Sequence, residues 1–261
     1  TRFAERHGVA NASSDAQAVI DDDAVDLVVI ATPHSTHATL VVAALGAGKD
    51  VYCEKPLALT TDELVSVEEA VAASDGRLYV GFNRRYSPML GAARQAMSGA
   101  GPMQIEYRVN AGSLAADHWY SDHREGGRLL GEICHFIDAC AFLVGDSAVR
   151  SVHVVAPAEA NHDAYHLLIG YEDGSSASIV YADGSHFSTR KERIEINGRG
   201  HTVVLDNYRS LVVDGGKVKI AEGKGHVEGL AAFLSGRLSH CESALATTRS
   251  ALGASNQLAG R

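Results

Sequence analysis

Short apolar runs alternate with amphipathic stretches over the first third of the chain, and the pattern then changes. Residues 1–9 read as the tail of an amphipathic helix stopped at Gly8. Residues 26–31 (Asp-Leu-Val-Val-Ile-Ala) form a short β-branched run of the kind buried in parallel sheets. Thr32-Pro33 ends that run, and Ser35 or Thr36 can cap an alanine-rich helix running to Gly46 or Gly48. A strand at 50–53 follows, then a helix from Thr60 or Thr61 to Ala73 with Glu63 in its first turn, and a strand at 78–82. Strand, helix, strand, helix, strand at this spacing predicts a parallel sheet with right-handed crossovers.

After Tyr86 the rhythm is different. A helix near 89–97 leads to a strand at 103–110, a polar loop holding Trp119 and Tyr120, and a helix over 127–143. Alternating runs follow at 149–156, 164–171, 176–181, 192–196, 202–205, 211–213 and 218–220, with turn signals at Glu172-Asp173-Gly174 and Asp214-Gly215-Gly216. These predict a one-faced antiparallel sheet against which the 127–143 helix packs. Helices near 227–235 and 242–258 close the sequence. The expected class is α/β: a partial Rossmann domain, parallel and doubly wound, over residues 1–85. An α+β domain built on a mainly antiparallel sheet is expected over 86–261.

Composition narrows the function. The 261 residues are 46% hydrophobic and 21% charged, ordinary globular values, and no run approaches the ~18 apolar residues of a membrane helix. A basic and apolar leader before the first helix is not expected from these residues. The net charge of −9 disfavours a nucleic-acid surface, which needs clustered Lys and Arg. Cys53, Cys134, Cys140 and Cys241 form no C-x-x-C pair, so packed reduced thiols and a cytoplasmic setting are expected.

Two polar clusters carry candidate chemistry. Glu54-Lys55-Pro56 directly follows a strand, and His135 lies in the 127–143 helix with Glu132 three residues before it. A cationic amine at a strand end and a histidine on a distant helix are the parts of a proton relay for alcohol–carbonyl chemistry. Residues three apart on a helix are neighbours, so Glu132 is expected to reach His135; Asp138 reads as structural. Asn83, Arg85 and Tyr86 stand where the parallel sheet hands over to the second domain, and Thr32 and Pro33 stand at a strand carboxyl end. Open α/β sheets bind ligands at such ends, so all five are expected at the cleft. Trp119 is expected to wall the cleft and Tyr120 to add a donor. Glu132-x-x-His135 also has carboxylate-metal spacing, but no second such pair exists, and no metal is expected.

In order, these elements resemble the Gfo/Idh/MocA family of nicotinamide-dependent sugar and polyol oxidoreductases. Ala31-Thr32-Pro33-His34-Ser35-Thr36-His37 is similar to its A-T-P/N-x-x-H-x element. Residues 44–56 match the segment ending in its E-K-P signature, and residues 81–88 are similar to G-F-N-R-R-F-x-P. The resemblance implies NAD or NADP as cofactor, a sugar or polyol as substrate, self-association into a homo-oligomer, and neither nucleic acid nor membrane as partner. It implies that Lys55 contacts the reacting hydroxyl and the nicotinamide ribose, with burial beside the cofactor able to bring its pKa towards working pH. It implies Lys55 and His135 as catalytic residues, to which the helical spacing adds Glu132. Thr32, Pro33, His37, Glu54, Lys55, Pro56 and Asn83 would line the cofactor; Lys55, Arg85, Tyr86, Trp119, Tyr120 and His135 would line the substrate.

Two departures stand out. The family's G-x-G-x-x-G turn is absent, Gly8 being the only glycine before Gly46, so a fragment of a longer protein that binds NAD(P) poorly by itself is expected. Gly131 occupies the position of the family's aspartate, four residues before His135, where the longer carboxylate of Glu132 is expected to substitute. Two other readings stay open: an NAD-dependent glycoside hydrolase of the same fold, and a non-catalytic sugar-binding or assembly module.

Overall fold

The computed structural model describes residues 2–99, 101–115, 118–157, 163–186, 188–236 and 241–259. Helix α1 (Arg2–His7) ends where Gly8 turns to φ +65°, a conformation that costs glycine little. Helix α2 (Ala16–Ile20), which the apolar pattern did not single out, starts on the Asp15 carboxylate, an acceptor for the Gln17 N–H at 3.0 Å.

Strands β1 (Leu27–Ile30), β2 (Asp50–Cys53) and β3 (Leu78–Val80) form a parallel sheet in the order β1-β2-β3, with Leu27 opposite Asp50 and Val51 opposite Leu78. Their crossovers are α3 (His37–Gly46) and α4 (Thr61–Ala73). The Thr60 hydroxyl accepts the Glu63 N–H at 3.1 Å, and the Glu63 carboxylate accepts the Thr60 N–H at 3.2 Å, fixing the first turn of α4. All three strand carboxyl ends thus face the same way, and the loops leaving them carry Thr32, Lys55 and Asn83. The third strand is shorter than its apolar run, because Asn83–Tyr86 wind into a 3-10 turn.

Helix α5 (Pro88–Ala96) leads into a second sheet of eight strands. These are β4 (Gln104–Asn110), β5 (Val149–Val155), β6 (Tyr165–Tyr171), β7 (Ser176–Ala182), β8 (Glu192–Gly198), β9 (His201–Asp206), β10 (Ser210–Val213) and β11 (Gly216–Val218). Their order is β11-β10-β9-β8-β4-β7-β6-β5, and every pairing is antiparallel except β4 with β7. The parallel pair sits in the middle of the sheet, where β4 separates a three-stranded meander from a four-stranded one. Ile105, Tyr107 and Val109 of β4 are buried while Gln104, Glu106 and Arg108 are exposed, so the pleat separates a packed face from a solvated one.

The helix expected over 127–143 is two segments, a π-helical turn at Leu129–Ile133 and α6 (Cys134–Leu143). Phe136 of α6 packs edge-on to Tyr107, with ring centroids 5.0 Å apart. Helices α7 (His226–Leu234) and α8 (Cys241–Ala259) finish the fold, and Phe233 of α7 lies 5.6 Å from Tyr79. No helix among the described residues is long and apolar enough to cross a membrane. All four cysteines are free thiols, Cys53, Cys134 and Cys140 buried.

One buried ion pair fastens the 3-10 turn to α6. Arg85 Nη2 donates to Asp138 Oδ1 at 2.5 Å, and Nε approaches both carboxylate oxygens at 3.2 and 3.1 Å. Removing Asp138 leaves the buried Arg85 with only its longer contact to Asp146 at 3.5 Å, and breaking such a buried pair typically costs about 3–5 kcal/mol. Asp138→Ala is therefore expected to lower unfolding stability by that amount in a urea titration. A loss under ~1 kcal/mol would show that the pair is not a structural fastening.

Candidate active site

The loop after β2 sends Lys55 across a cleft of about 470 Å³ lying between the parallel-strand ends and the second sheet. Its Nζ donates to the Gly131 carbonyl at 2.7 Å and to the Tyr120 hydroxyl at 3.1 Å. The Tyr120 hydroxyl donates onward to the same carbonyl at 3.2 Å. An ammonium has three hydrogens, so one remains for a ligand. Burial alone would pull the Lys55 pKa down, but Cys134, Tyr120 and Glu54 outweigh it and hold the amine above its ordinary value. In this structure Lys55 is therefore an ammonium and a donor, burial alone not bringing it towards neutrality. Glu54 accepts the Lys55 N–H at 3.3 Å, and Pro56 is buried beneath the loop.

Gly131 is shaped by this contact. A Cβ there would lie 2.9 Å from His34 Cε1 and 3.4 Å from Tyr120 Cζ. No aspartate fits at that position without displacing the His34 ring, and the backbone carbonyl holds the lysine instead. His34 Nδ1 lies 2.8 Å from the Glu125 carbonyl oxygen, and the Glu125 carboxylate accepts the Ser35 hydroxyl at 2.8 Å and its N–H at 3.1 Å. Burial first, then the neighbouring Lys55 and His37, lowers His34 to about 4 despite the Glu125 contacts. Its ring meets Trp119 edge-on at 4.6 Å.

His37 has a scaffolding position. It is buried, with Nδ1 2.7 Å from the Pro56 carbonyl and Nε2 2.9 Å from the Thr32 carbonyl, so it clamps two strand-end loops together. Both ring nitrogens are occupied by backbone oxygens, which removes it from the residues open to a ligand. Thr32 and Pro33 are exposed at the end of β1, where the Thr32 and Thr36 hydroxyls are 2.7 Å apart.

The opposite wall carries His135 and Glu132. His135 is buried, its Nδ1 makes no hydrogen bond, and burial followed by Arg84 and Lys55 holds it well below its ordinary value. The imidazole is therefore neutral. Glu132 does not bond to His135 as its spacing suggested. Its carboxylate accepts Tyr181 Oη–H in a short hydrogen bond and Lys191 Nζ–H at 2.5 Å. The three-residue neighbour rule assumes 3.6 residues per turn, and the π-helical winding over 129–133 breaks that phase. Burial would raise the Glu132 pKa, but Lys191, Tyr181 and Arg128 outweigh it and keep the carboxylate charged.

The 3-10 turn splits the Arg84-Arg85 pair, because successive side chains there point about 120° apart. Arg84 lines the cleft and grips Glu192 with two hydrogen bonds of 2.8 Å, whereas Arg85 points away to Asp138. Tyr86, also expected at the cleft, packs instead near Tyr79, with centroids 5.9 Å apart, and against Gly229 of α7. Asn83 remains in the lining, its Nδ2 donating to the Lys224 carbonyl at 2.7 Å. Trp119, nearly half exposed, and Tyr120 line it too.

Several lining residues had no signal in the sequence. Lys191 and Lys224 come from loops before β8 and α7, far along the chain from both motifs. Lys224 donates to Glu192 at 2.5 Å, as does Tyr107 from beneath. Burial would raise the Glu192 carboxyl, but Arg84 and Lys224 pull it to about 2.

Residues 1–82 match the model of an oxidoreductase family's NAD-binding Rossmann fold, and residues 102–227 match that family's C-terminal alpha/beta domain. The chain is 41% identical over 225 residues to inositol 2-dehydrogenase of Acidothermus cellulolyticus, covering 81% of itself and 62% of that protein. It is 36% identical over 163 residues to levoglucosan dehydrogenase of Pseudarthrobacter phenanthrenivorans, covering 57% of itself and 41% of the relative. The chain thus spans less than two thirds of these curated relatives. Among solved structures, an oxidoreductase from Thermotoga maritima aligns with TM-score 0.83 at 17% identity, over 97% of this chain and 83% of that one. A levoglucosan dehydrogenase complexed with NADH and L-sorbose aligns with TM-score 0.80 at 22% identity, over 98% and 84%. These two structural matches establish a shared fold.

The two neutral histidines give the site a pH signature. An unfolded chain protonates its histidines near pH ~6.5, whereas His34 stays neutral in the fold down to about 4. Below pH ~6.5 the unfolded state binds more protons, so stability should fall as pH drops from ~6.5 towards 4. Urea midpoints measured across that range are expected to fall less steeply in His34→Gln than in the parent. Equal slopes would mean that His34 is not held neutral.

Proposed function

We propose that this chain, which belongs to the Gfo/Idh/MocA oxidoreductase family, forms the reaction centre of an NAD(P)-dependent dehydrogenase acting on a secondary alcohol carbon of a sugar or polyol. The observation that carries this reading is the pairing in one cleft of a lasting ammonium, Lys55, with a buried neutral imidazole, His135. Relatives named inositol 2-dehydrogenase and levoglucosan dehydrogenase support the substrate class.

The residues present fit the nicotinamide end of the cofactor. The loops after β2 and β3 open onto the cleft, a half-exposed Trp119 ring offers a flat surface, and Lys55 keeps one N–H unassigned. Thr32, Pro33, Lys55, Asn83 and Trp119 would hold that end, with Glu54, Pro56 and His37 fixing the loops beneath. When bound, nicotinamide exchanges a hydride with the alcohol carbon.

Lys55 Nζ donates its remaining N–H to the substrate oxygen and stabilises negative charge developing there as the C–O bond gains double-bond character. Because Lys55 already carries its proton, the hydroxyl proton goes to the neutral imidazole of His135, and returns from it in reduction. Tyr120 and Gly131 aim the ammonium. Glu132, held by Tyr181 and Lys191, acts on the substrate side of the cleft and not on the imidazole.

In the full-length protein, Lys55→Ala is expected to lower kcat for polyol-dependent NAD(P) reduction by on the order of 10²-fold or more, with a far smaller change in cofactor affinity. Turnover equal to the parent would remove Lys55 from the chemistry. Cleavage of a glycoside without net NAD(P) reduction would replace the dehydrogenase reading with a hydrolase.

A further inference from the structure

Resting on that reading, we infer that the substrate is an anionic sugar or polyol, one that carries a carboxylate or a phosphate beside the alcohol to be oxidised. Five cationic side chains line the cleft (Lys55, Arg84, Arg128, Lys191 and Lys224) against one carboxylate, Glu132, in a chain whose net charge is −9. The balancing acids stand behind the cations and not in the lining. Glu192, wholly buried, lies beneath Arg84 and Lys224; Asp163 is 3.4 Å from Arg128 Nε; Glu54 accepts the Lys55 backbone N–H.

The layering matters more than the sum. With its carboxylates behind, the cleft presents ammonium and guanidinium groups to whatever enters. The Lys191 and Lys224 side chains remain 41% and 30% exposed even while paired. A neutral polyol needs both donors and acceptors for its hydroxyls, whereas this wall offers mostly donors, the match for an acceptor-only anion. Arg128 lies deep in the same wall, its Nε in an ion pair with Asp163 at 3.4 Å. Its side chain is 2% exposed, and two of its nitrogens donate to Tyr181 Oη and the Gly112 carbonyl, but Nε makes no hydrogen bond.

Two of these charges stand apart from the strand ends assigned to the cofactor: Lys191 precedes β8 and Lys224 precedes α7, which puts them on the substrate side in this reading. The alcohol oxygen would sit at Lys55 and His135, and the anionic group would reach towards Lys191 and Lys224.

Matched pairs test the inference in the full-length protein: glucose against glucuronate, and inositol against an inositol monophosphate, in NAD(P)-reduction assays and by calorimetric titration. The anionic member of at least one pair is expected to show kcat/KM about tenfold or more above its neutral partner. That advantage should shrink as salt rises from about 0.05 to 0.5 M. Lys191→Met and Lys224→Met, checked for folding by thermal melts, should each raise KM for the anionic substrate severalfold and shrink the kcat/KM ratio of anionic to neutral member by a like factor. Whichever pair shows the effect identifies the source of the charge. Neutral substrates turned over as well as anionic ones would overturn the inference and leave the dehydrogenase reading standing. If no alcohol supports NAD(P) reduction, the dehydrogenase reading fails. Titration then decides the charge separately: anion binding weakened by Lys191→Met supports it, and equal binding of both members of each pair overturns it.

Discussion

The 2.7 Å hydrogen bond from Lys55 Nζ to the Gly131 carbonyl holds the two walls of the cleft together. It joins the end of a parallel strand to a helical turn 76 residues later, so both frameworks must be in register before it can form. Three local features make it possible. Strand β2 stops at Cys53, the segment at Leu129–Ile133 widens into a π-helical turn, and residue 131 lacks a Cβ that would meet His34. The lysine's charge is kept by its neighbours: Cys134, Tyr120 and Glu54 outweigh burial, and the Tyr120 hydroxyl that accepts from the same ammonium is one of them, so Lys55 stays a donor.

Proton acceptance is thereby left to a group that is neutral, and burial makes His135 so. Around this pair, charge is stacked in layers. Glu192 sits at the bottom and receives Arg84 twice, Lys224 and Tyr107, which fixes the orientation of the cations above it. Glu132, with Tyr181 and Lys191, forms a second anchor of the same type. Side chains held in this way have little freedom left to lose when a ligand arrives, the advantage of preorganisation.

Much of this was legible in the sequence, and the failures have physical causes. β-branched runs bounded by glycine and proline marked the parallel strands, and Thr60 with Glu63 marked the start of α4. Asp15-Ala16 before α2 offered a cap without a long apolar stripe, too little for periodicity to detect. The parallel β4–β7 pair was hidden because alternation reports which face a residue occupies and not which neighbour its strand takes. At the site, Lys55, Asn83, Trp119, Tyr120, Glu132 and His135 do converge on one cleft. Arg85 and Tyr86 do not, since a 3-10 turn disperses consecutive side chains. Glu132 misses His135 because spacing rules presuppose a regular α-helix. Lys191 and Lys224 were invisible because each is a single loop lysine whose meaning comes only from a distant partner, Glu132 or Glu192.

The charge state of Lys55 bears most directly on how the cleft works. It can be read by NMR of the lysine side chains, with the Lys55 signal assigned by its loss in Lys55→Arg. The signal is expected to show no titration between pH ~6 and ~10, in keeping with an ammonium that Cys134, Tyr120 and Glu54 hold above its ordinary value against the pull of burial. In Tyr120→Phe the titration should move downwards. A Lys55 midpoint near neutrality in the parent would contradict the assignment of donor to Lys55 and acceptor to His135.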